Sequence, residues 1–315
     1  MPVLSAAAEV SLKNILVATD LAPGALSALN YVLPLARQFH ATVHILHVVP
    51  RELSDVVSPA KSSLLFEQLP TVAQQRLNSL TIMLGDVPHH MWLRQGQVWE
   101  EVRDLVQRNH IDLVVVGASG KTHVNKILLG SVAEEVFRET TCPVLTVGPQ
   151  VGPSSSSLNL RQILYSTNLR EESHGGLDYA ISLTRQCRAQ LTLLHIVEQD
   201  EPKSSNDQWL KPDYQLLRQL VSDEDLSIEP RFRIEVTKNT SVRILRVAEE
   251  IAADLIVMDV RPEEPWGHTS ARPGVRDHFV FKLSGTDGPH QSWHGPSGAV
   301  SCPPNGQSVP CNSAL

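Results

Sequence analysis

Gly117-Ala118-Ser119-Gly120, followed after nine residues by Gly130-Ser131, is the grouping in this chain best suited to binding chemistry. It comes directly after the apolar run Leu113-Val114-Val115-Val116, and a short β-branched run of that kind reads as a buried strand. The glycines let the backbone turn sharply and come close to a ligand, because no Cβ stands in the way. Gly130-Ser131 opens a stretch of helical composition that ends near Glu139. The unpaired N–H groups and the dipole of a helix start favour an anion. Strand, glycine loop and helix start together read as a phosphate cradle. A Walker A loop is excluded, because Gly120-Lys121-Thr122 would need another glycine at the position held by Val115.

No catalytic constellation accompanies the cradle. The sequence has no Gly-x-Ser-x-Gly nucleophile elbow and no His-Glu-x-x-His zinc pattern. His44 and His47 lie three apart in a strand pattern and so face opposite sides. His47 and His195 occupy equivalent strand positions and read as hydrogen-bonded structural histidines. Cys142, Cys187, Cys302 and Cys311 are scattered and form no metal-type pair. His268, His278, His290 and His294 fit no common zinc spacing.

The elements that must position the cradle alternate between strand and helix patterns. Strand 14–19 leads to a helix near Ala25–Phe39, strand 43–48 to a helix near Ser63–Leu84, and a strand near Met91–Arg94 to a helix near Trp99–Asn109. Strand 112–116, helix 131–139 and strand 144–147 complete the set. Such alternation predicts a mostly parallel, doubly wound sheet with right-handed crossovers. Ligands of these sheets bind beyond the carboxyl ends of the strands, where Thr19-Asp20, Val48 and Gly117 fall.

With these landmarks in order, residues 11–149 resemble the universal stress protein family. The resemblance rests on Gly-x2-Gly-x9-Gly-Ser, on Lys13-Asn14-Ile15-Leu16-Val17-Ala18-Thr19-Asp20, and on Val43-His44-Ile45-Leu46-His47-Val48. Ile111 to Gly117 and Cys142-Pro143-Val144-Leu145-Thr146-Val147 carry it too. It implies a Rossmann-like domain, related to the adenine nucleotide alpha hydrolases, that binds ATP or a similar adenine nucleotide. Carried over by position, Ala18, Thr19 and Asp20 line the pocket, Val48 lies against adenine, and Gly117, Gly120, Gly130, Ser131 and Val132 surround the phosphates. Asp20 can accept ribose hydroxyls or help to hold Mg²⁺, which favours hard oxygen ligands. Two plainer readings stay beside these: Thr19-Asp20 as the N-cap of the next helix, and Val48 as core. The expectation is a binding protein and not an enzyme, with slow hydrolysis of bound ATP left open.

The chain also repeats itself. Ile15-Leu16-Val17-Ala18-Thr19-Asp20 recurs as Ile163-Leu164-Tyr165-Ser166-Thr167-Asn168 at an offset of 148. Ile45 to Val49 recurs as Leu193 to Val197 at the same offset, and Asp112 to Val116 as Asp254 to Met258 at 142. A period this long indicates duplicated domains. The expected division is a nucleotide-binding domain at 11–149, a polar linker from Gln150 to Leu158, a degenerate and truncated copy at 159–260, and a disordered tail at 261–315. In the second copy Asn168 stands for Asp20 and Asp259 for Gly117, and no Gly-x9-Gly-Ser follows. A carboxylate there repels phosphate, so only the first copy is expected to bind. Residues 261–315 contain 15 glycines and prolines among 55, a composition without period that points to disorder. The fourth helix and fifth strand of the second copy are expected to be missing.

Composition sets the remaining bounds. The 315 residues are 42% hydrophobic and 19% charged, with a net charge of −7, so nothing attracts nucleic acid in general. No apolar run approaches a membrane span, and Met1 to Glu9 lacks the pattern of a signal peptide. A cytoplasmic location is the expectation. In relatives the last strand commonly makes dimer contacts, a role open here to Val144–Val147. A missing counterpart in the second copy would leave a bare sheet edge, which invites pairing with another chain. The expected partners are an adenine nucleotide and either a second copy or the chain's own other domain. A nucleotide-independent dimerising scaffold is the alternative function.

Overall fold

The computed structural model describes residues 10–22, 26–49, 59–117, 126–127, 135–136, 140, 142–147, 160–169, 175–199, 207–260, 278–282 and 292–293. In the first half, β1 (Asn14–Ala18), α1 (Leu29–Phe39), β2 (Thr42–Val49), α2 (Pro59–Leu84), β3 (His89–Gln95), α3 (Val98–Arg108) and β4 (Leu113–Gly117) alternate as the periodicity predicts. The short β5 (Lys126–Ile127) and then β6 (Val144–Val147) follow. The second half repeats the order with β7 (Gln162–Thr167), α4 (Gly175–Cys187), β8 (Gln190–Glu198), α5 (Lys211–Gln219), β9 (Arg231–Thr237), α6 (Thr240–Glu250) and β10 (Leu255–Val260). Two late strands, β11 (His278–Lys282) and β12 (Ser292–Trp293), close the series.

Ten of these strands form one sheet in the order β3-β2-β1-β4-β6-β11-β10-β7-β8-β9. Each half is parallel within itself: β1 pairs with β2 and β4, and β7 with β8 and β10. β11 joins them, parallel to β6 and antiparallel to β10. The two halves therefore run in opposite directions across one continuous sheet. β12 and β5 make a separate parallel pair.

A strand does follow Arg261, but β11 runs antiparallel to β10 where β6 runs parallel to β4, so it is an added strand and not the counterpart of β6 that the second copy was expected to lack. The sequence shows no period there, but sheet pairing is made by backbone groups, and two facing strand edges leave a full row of donors and acceptors to satisfy. His278–Lys282 fills that row, so β10 does not end in the open edge that its sequence suggested. The linker at 150–158 and the rest of 261–315, apart from Ser292–Trp293, lie outside the described residues, as does most of the predicted helix 131–139.

Helices cover both sheet faces. On one face a single buried cluster runs through both halves, from Ile15, Val17 and Leu77 to Leu191 and Leu217. Leu35, Leu145, Leu183 and Leu255 belong to this same cluster and bring the two halves together. The opposite face carries two clusters, one under α3 with Val102 and Leu105, the other under α6 with Ile244 and Val247. Burial of branched side chains on both faces explains the near-continuous apolar strands. Polar contacts add to the junction: the Val10 amide donates to Ser182 Oγ at 2.7 Å, and Gln186 Nε2 donates to the Val10 carbonyl at 3.0 Å.

Each half ties its first strand to its fourth with one carboxylate. Asp112 Oδ2 accepts from the amides of Lys13 and Asn14 at 2.7 and 2.9 Å. Asp254 Oδ2 accepts from Arg161 and Gln162 at the same two distances. Amide bonds to a charged acceptor are stronger than neutral ones. Asp112→Ala and Asp254→Ala should therefore each lower stability by about 1–2 kcal/mol, read as the shift of the urea midpoint at constant slope.

Candidate functional site

In the first half, β1 leads to β2 on one side, and β4 lies on its other side. The carboxyl ends of β1 and β4 thus form the crevice at which such sheets bind ligands. Ala18 pairs with Leu46 of β2 and with Val116 of β4. Gly117, half-exposed, follows at once on β4 and pairs with Val147. Val48 and Gly117 flank β1 from opposite sides, two strand spacings or about 10 Å apart across the sheet.

Beyond Ala18 the chain leaves the sheet in a tight turn. The Thr19 amide still donates to the Leu46 carbonyl at 3.0 Å. Thr19 Oγ1 then accepts from the Leu21 amide at 3.0 Å, and Asp20 Oδ1 from the Ala22 amide at 2.8 Å. Leu21 has a positive φ of 59°, a strained conformation for a residue with a Cβ. Thr19 and Asp20 therefore cap the turn that leads towards Leu26, whose amide donates to the Ala22 carbonyl at 3.1 Å; residues 23–25 lie outside the described residues. Short side-chain oxygens bonding the amide two residues on is what Thr and Asp do in turns. The Asp20 carboxylate stands exposed at the strand end.

Val48 is buried, in a cluster with Ala18, Leu46, Trp92 and Val98, so the core reading of Val48 holds at 7% exposure. Only its rim lies open to a base. Gly120, Gly130, Ser131 and Val132 lie outside the described residues. The structure brings Ala18, Thr19, Asp20 and Gly117 to one crevice, with Val48 one strand away.

One side chain of this turn escaped the sequence reading as a site residue. His47 Nδ1 lies 2.9 Å from the Thr19 carbonyl oxygen; a carbonyl only accepts, so Nδ1 carries the proton. In the second half His195 Nδ1 meets the Thr167 carbonyl at 3.0 Å. The equivalence of the two histidines was visible in the repeat; what they hold was not.

The second half keeps the turn and changes the crevice. Thr167 Oγ1 accepts from the Leu169 amide at 3.1 Å, and Leu169 has the same φ of 59°. Asp259, at the place of Gly117, is held within its own half. Its Oδ2 accepts from the Tyr165 hydroxyl at 2.5 Å and its Oδ1 from the Gly176 amide, in the first turn of α4, at 2.9 Å. Burial, and then the Asp259 charge, push the Tyr165 hydroxyl well above its ordinary range, so tyrosine keeps its proton and donates. The first half has Val17, Ala28 and Gly117 at these three places and cannot form the arrangement.

Away from the crevice, His44 on β2 is buried against β3. Trp92 Nε1 donates to His44 Nδ1 at 3.3 Å, and His44 Nε2 faces Asn14 Oδ1 at 3.3 Å. Burial, reinforced by the neighbouring His90, lowers the His44 pKa to about 4. Cys142 is the buried small residue that its sequence context suggested, its thiol pushed up to about 12 chiefly by burial. Among the described residues, no group of three or more His, Cys, Asp or Glu could hold a metal ion, and no helix is long and apolar enough to cross a membrane.

A doubly wound parallel sheet with a glycine at its switch point defines a Rossmann-like α/β protein. The model of the universal stress protein family matches residues 11–148 and again 159–269, so the chain belongs to that family. Universal stress protein MJ0531 of Methanocaldococcus jannaschii is 34% identical over 140 residues, covering 43% of this chain and 81% of its own length. Universal stress protein MJ0577 of the same organism is 29% identical over 156 residues, covering 44% of this chain and 96% of its own. The crystal structure of a universal stress protein from Archaeoglobus fulgidus superposes with a TM-score of 0.54 at 20% identity, covering 86% of this chain and 97% of that one. That last likeness extends the fold across both halves.

Proposed function

We propose that the first half binds an adenine nucleotide, ATP in the first instance, and that the second half does not. The observation that carries this reading is the crevice between β1 and β4, where Thr19-Asp20 and Gly117 stand at neighbouring strand ends. Gly117 offers backbone without a Cβ, as close approach of phosphate requires. Asp20 spends Oδ1 on the Ala22 amide, and Oδ2 serves the ribose hydroxyls. The same carboxylate suits one position of a Mg²⁺ shell completed by phosphate and water. Gly120, Gly130, Ser131 and Val132 supply the loop amides and a hydroxyl for the phosphates, as their order in the sequence indicates. On this reading nucleotide acts as a bound signal in a stress-response protein of the cytoplasm. Occupancy then changes stability or partner choice by mass action.

Calorimetric titration of ATP with Mg²⁺ tests the reading. One site per chain is expected in the wild-type protein, and none in Gly130→Asp, whose carboxylate takes the phosphate position. No heat, with an unchanged melting temperature at millimolar ATP, would leave the two-domain scaffold as the function. The scaffold reading draws on a separate observation, the continuous sheet through β6, β11 and β10. That pairing supports intramolecular association of the two domains over a homodimer built on β6.

A further inference from the structure

From the paired histidines we infer that His47 is a positioning residue for the nucleotide crevice: its imidazole holds the Thr19 carbonyl, and through it the turn that presents Asp20. The inference rests on the proposed nucleotide reading for its functional part. The geometry is specific. Asp20 sits between a carbonyl fixed from β2 (His47 Nδ1 to Thr19 O, 2.9 Å) and a leucine forced to φ 59°. A non-glycine residue keeps such a backbone only when its surroundings over-determine it. Three bonds do so here: His47 to the Thr19 carbonyl, the Leu21 amide to Thr19 Oγ1, and the Ala22 amide to Asp20 Oδ1.

The second half provides an internal control. His195, Thr167 and Leu169 reproduce the carbonyl bond, the hydroxyl bond and the positive φ at 3.0 Å, 3.1 Å and 59°. The histidine and threonine therefore form a unit with the turn, whether or not a ligand is bound beside it. Loss of either histidine removes the same bond from the same turn. Only His47 adjoins the crevice with Asp20 and Gly117; His195 adjoins one with Asn168 and the internally bonded Asp259.

The test uses the full chain with His47→Ala, His47→Asn, His47→Gln and His195→Ala. Asparagine places its amide nitrogen close to where Nδ1 stood, whereas glutamine carries it one carbon further. His47→Ala is expected to weaken ATP binding about tenfold, the scale of one lost hydrogen bond that must be made good on binding. His47→Asn should recover most of that affinity and His47→Gln should not. His195→Ala should lower the melting temperature about as much as His47→Ala and leave ATP affinity unchanged. Amide hydrogen exchange of Leu21 and Ala22 without nucleotide should speed up in His47→Ala and slow again in His47→Asn. Unchanged exchange in His47→Ala overturns the inference, as does equal loss of affinity in His47→Ala and His195→Ala, or wild-type affinity in His47→Ala. If the wild-type protein takes up no ATP while exchange behaves as expected, the nucleotide reading falls and the positioning of the turn stands.

Discussion

As pH falls from 7 to 4, the folded protein should lose up to about 3 kcal/mol of stability through His44 alone, the free-energy equivalent of its lowered pKa. The side chain is only 4% exposed, and the neutral ring satisfies both nitrogens, with Nδ1 accepting from Trp92 and Nε2 donating to Asn14. Protonation at Nδ1 would point a hydrogen at the Trp92 N–H and place a charge where burial and His90 oppose it. In the unfolded chain the ring takes up its proton near the ordinary value of 6.5, but in the folded protein only near 4. Between those values the unfolded state binds more protons, so stability declines as pH drops through the window. It is fully present above the upper value, and the loss is complete below the lower one. Carboxylates also titrate towards the acid end, so the measurement is the difference between wild type and His44→Gln in urea unfolding at pH 7, 6, 5 and 4. The wild type should lose ground to the variant steadily over this range. Parallel curves would mean that His44 is solvated enough to charge freely.

This histidine also marks how far the sequence could be read. Its three-residue spacing from His47 placed the two rings on opposite sheet faces, and they are: one is packed on Trp92, the other reaches the Thr19 carbonyl. Apolar runs, helix periods near 3.6 and the internal repeat were enough for β1 to β4 and their helices, and for β7, β8 and β10 in the second half. Those signals are local, or compare one segment with its copy. β11 carries neither signal. It pairs with β10, the strand before it across residues 261–277, and with β6 of the other half. The crevice was legible in the same uneven way. Thr19, Asp20 and Gly117 follow from strand ends, and Val48 from its strand, although its burial decides for the core. The His47 bond was hidden, because a carbonyl acceptor leaves no mark in composition. For Asp259 the sequence announced a charge in place of a glycine; the two donors that hold that charge come from β7 and α4, 94 and 83 residues away.

Asp259→Ala should cost roughly 3 kcal/mol of stability, the scale set by two hydrogen bonds to a charged acceptor. Tyr165 is fully buried in an apolar cluster that includes Ile163 and Leu177, so once the carboxylate is gone its hydroxyl has no acceptor in water and keeps only its bond with Thr167. The Gly176 amide, in the first turn of α4, loses its acceptor as well. Tyr165→Phe removes only the donor and should cost less, about 1–2 kcal/mol. Combining the two should cost clearly less than their sum, because contacting residues that share one bond are not additive. Strict additivity in urea unfolding would show that the hydroxyl and the carboxylate act independently. The same variant bears on function. If Asp259 alone kept nucleotide out of the second half, Asp259→Gly would raise ATP stoichiometry from one per chain to two. The expected value stays at one, for two reasons: Asn168 stands in place of Asp20, the carboxylate proposed to meet ribose, and no Gly-x9-Gly-Ser follows β10. The carboxylate is then best understood as an internal anion that holds the Gly176 amide at the start of α4. On the proposed reading the second half stays folded without a nucleotide, while the first binds one.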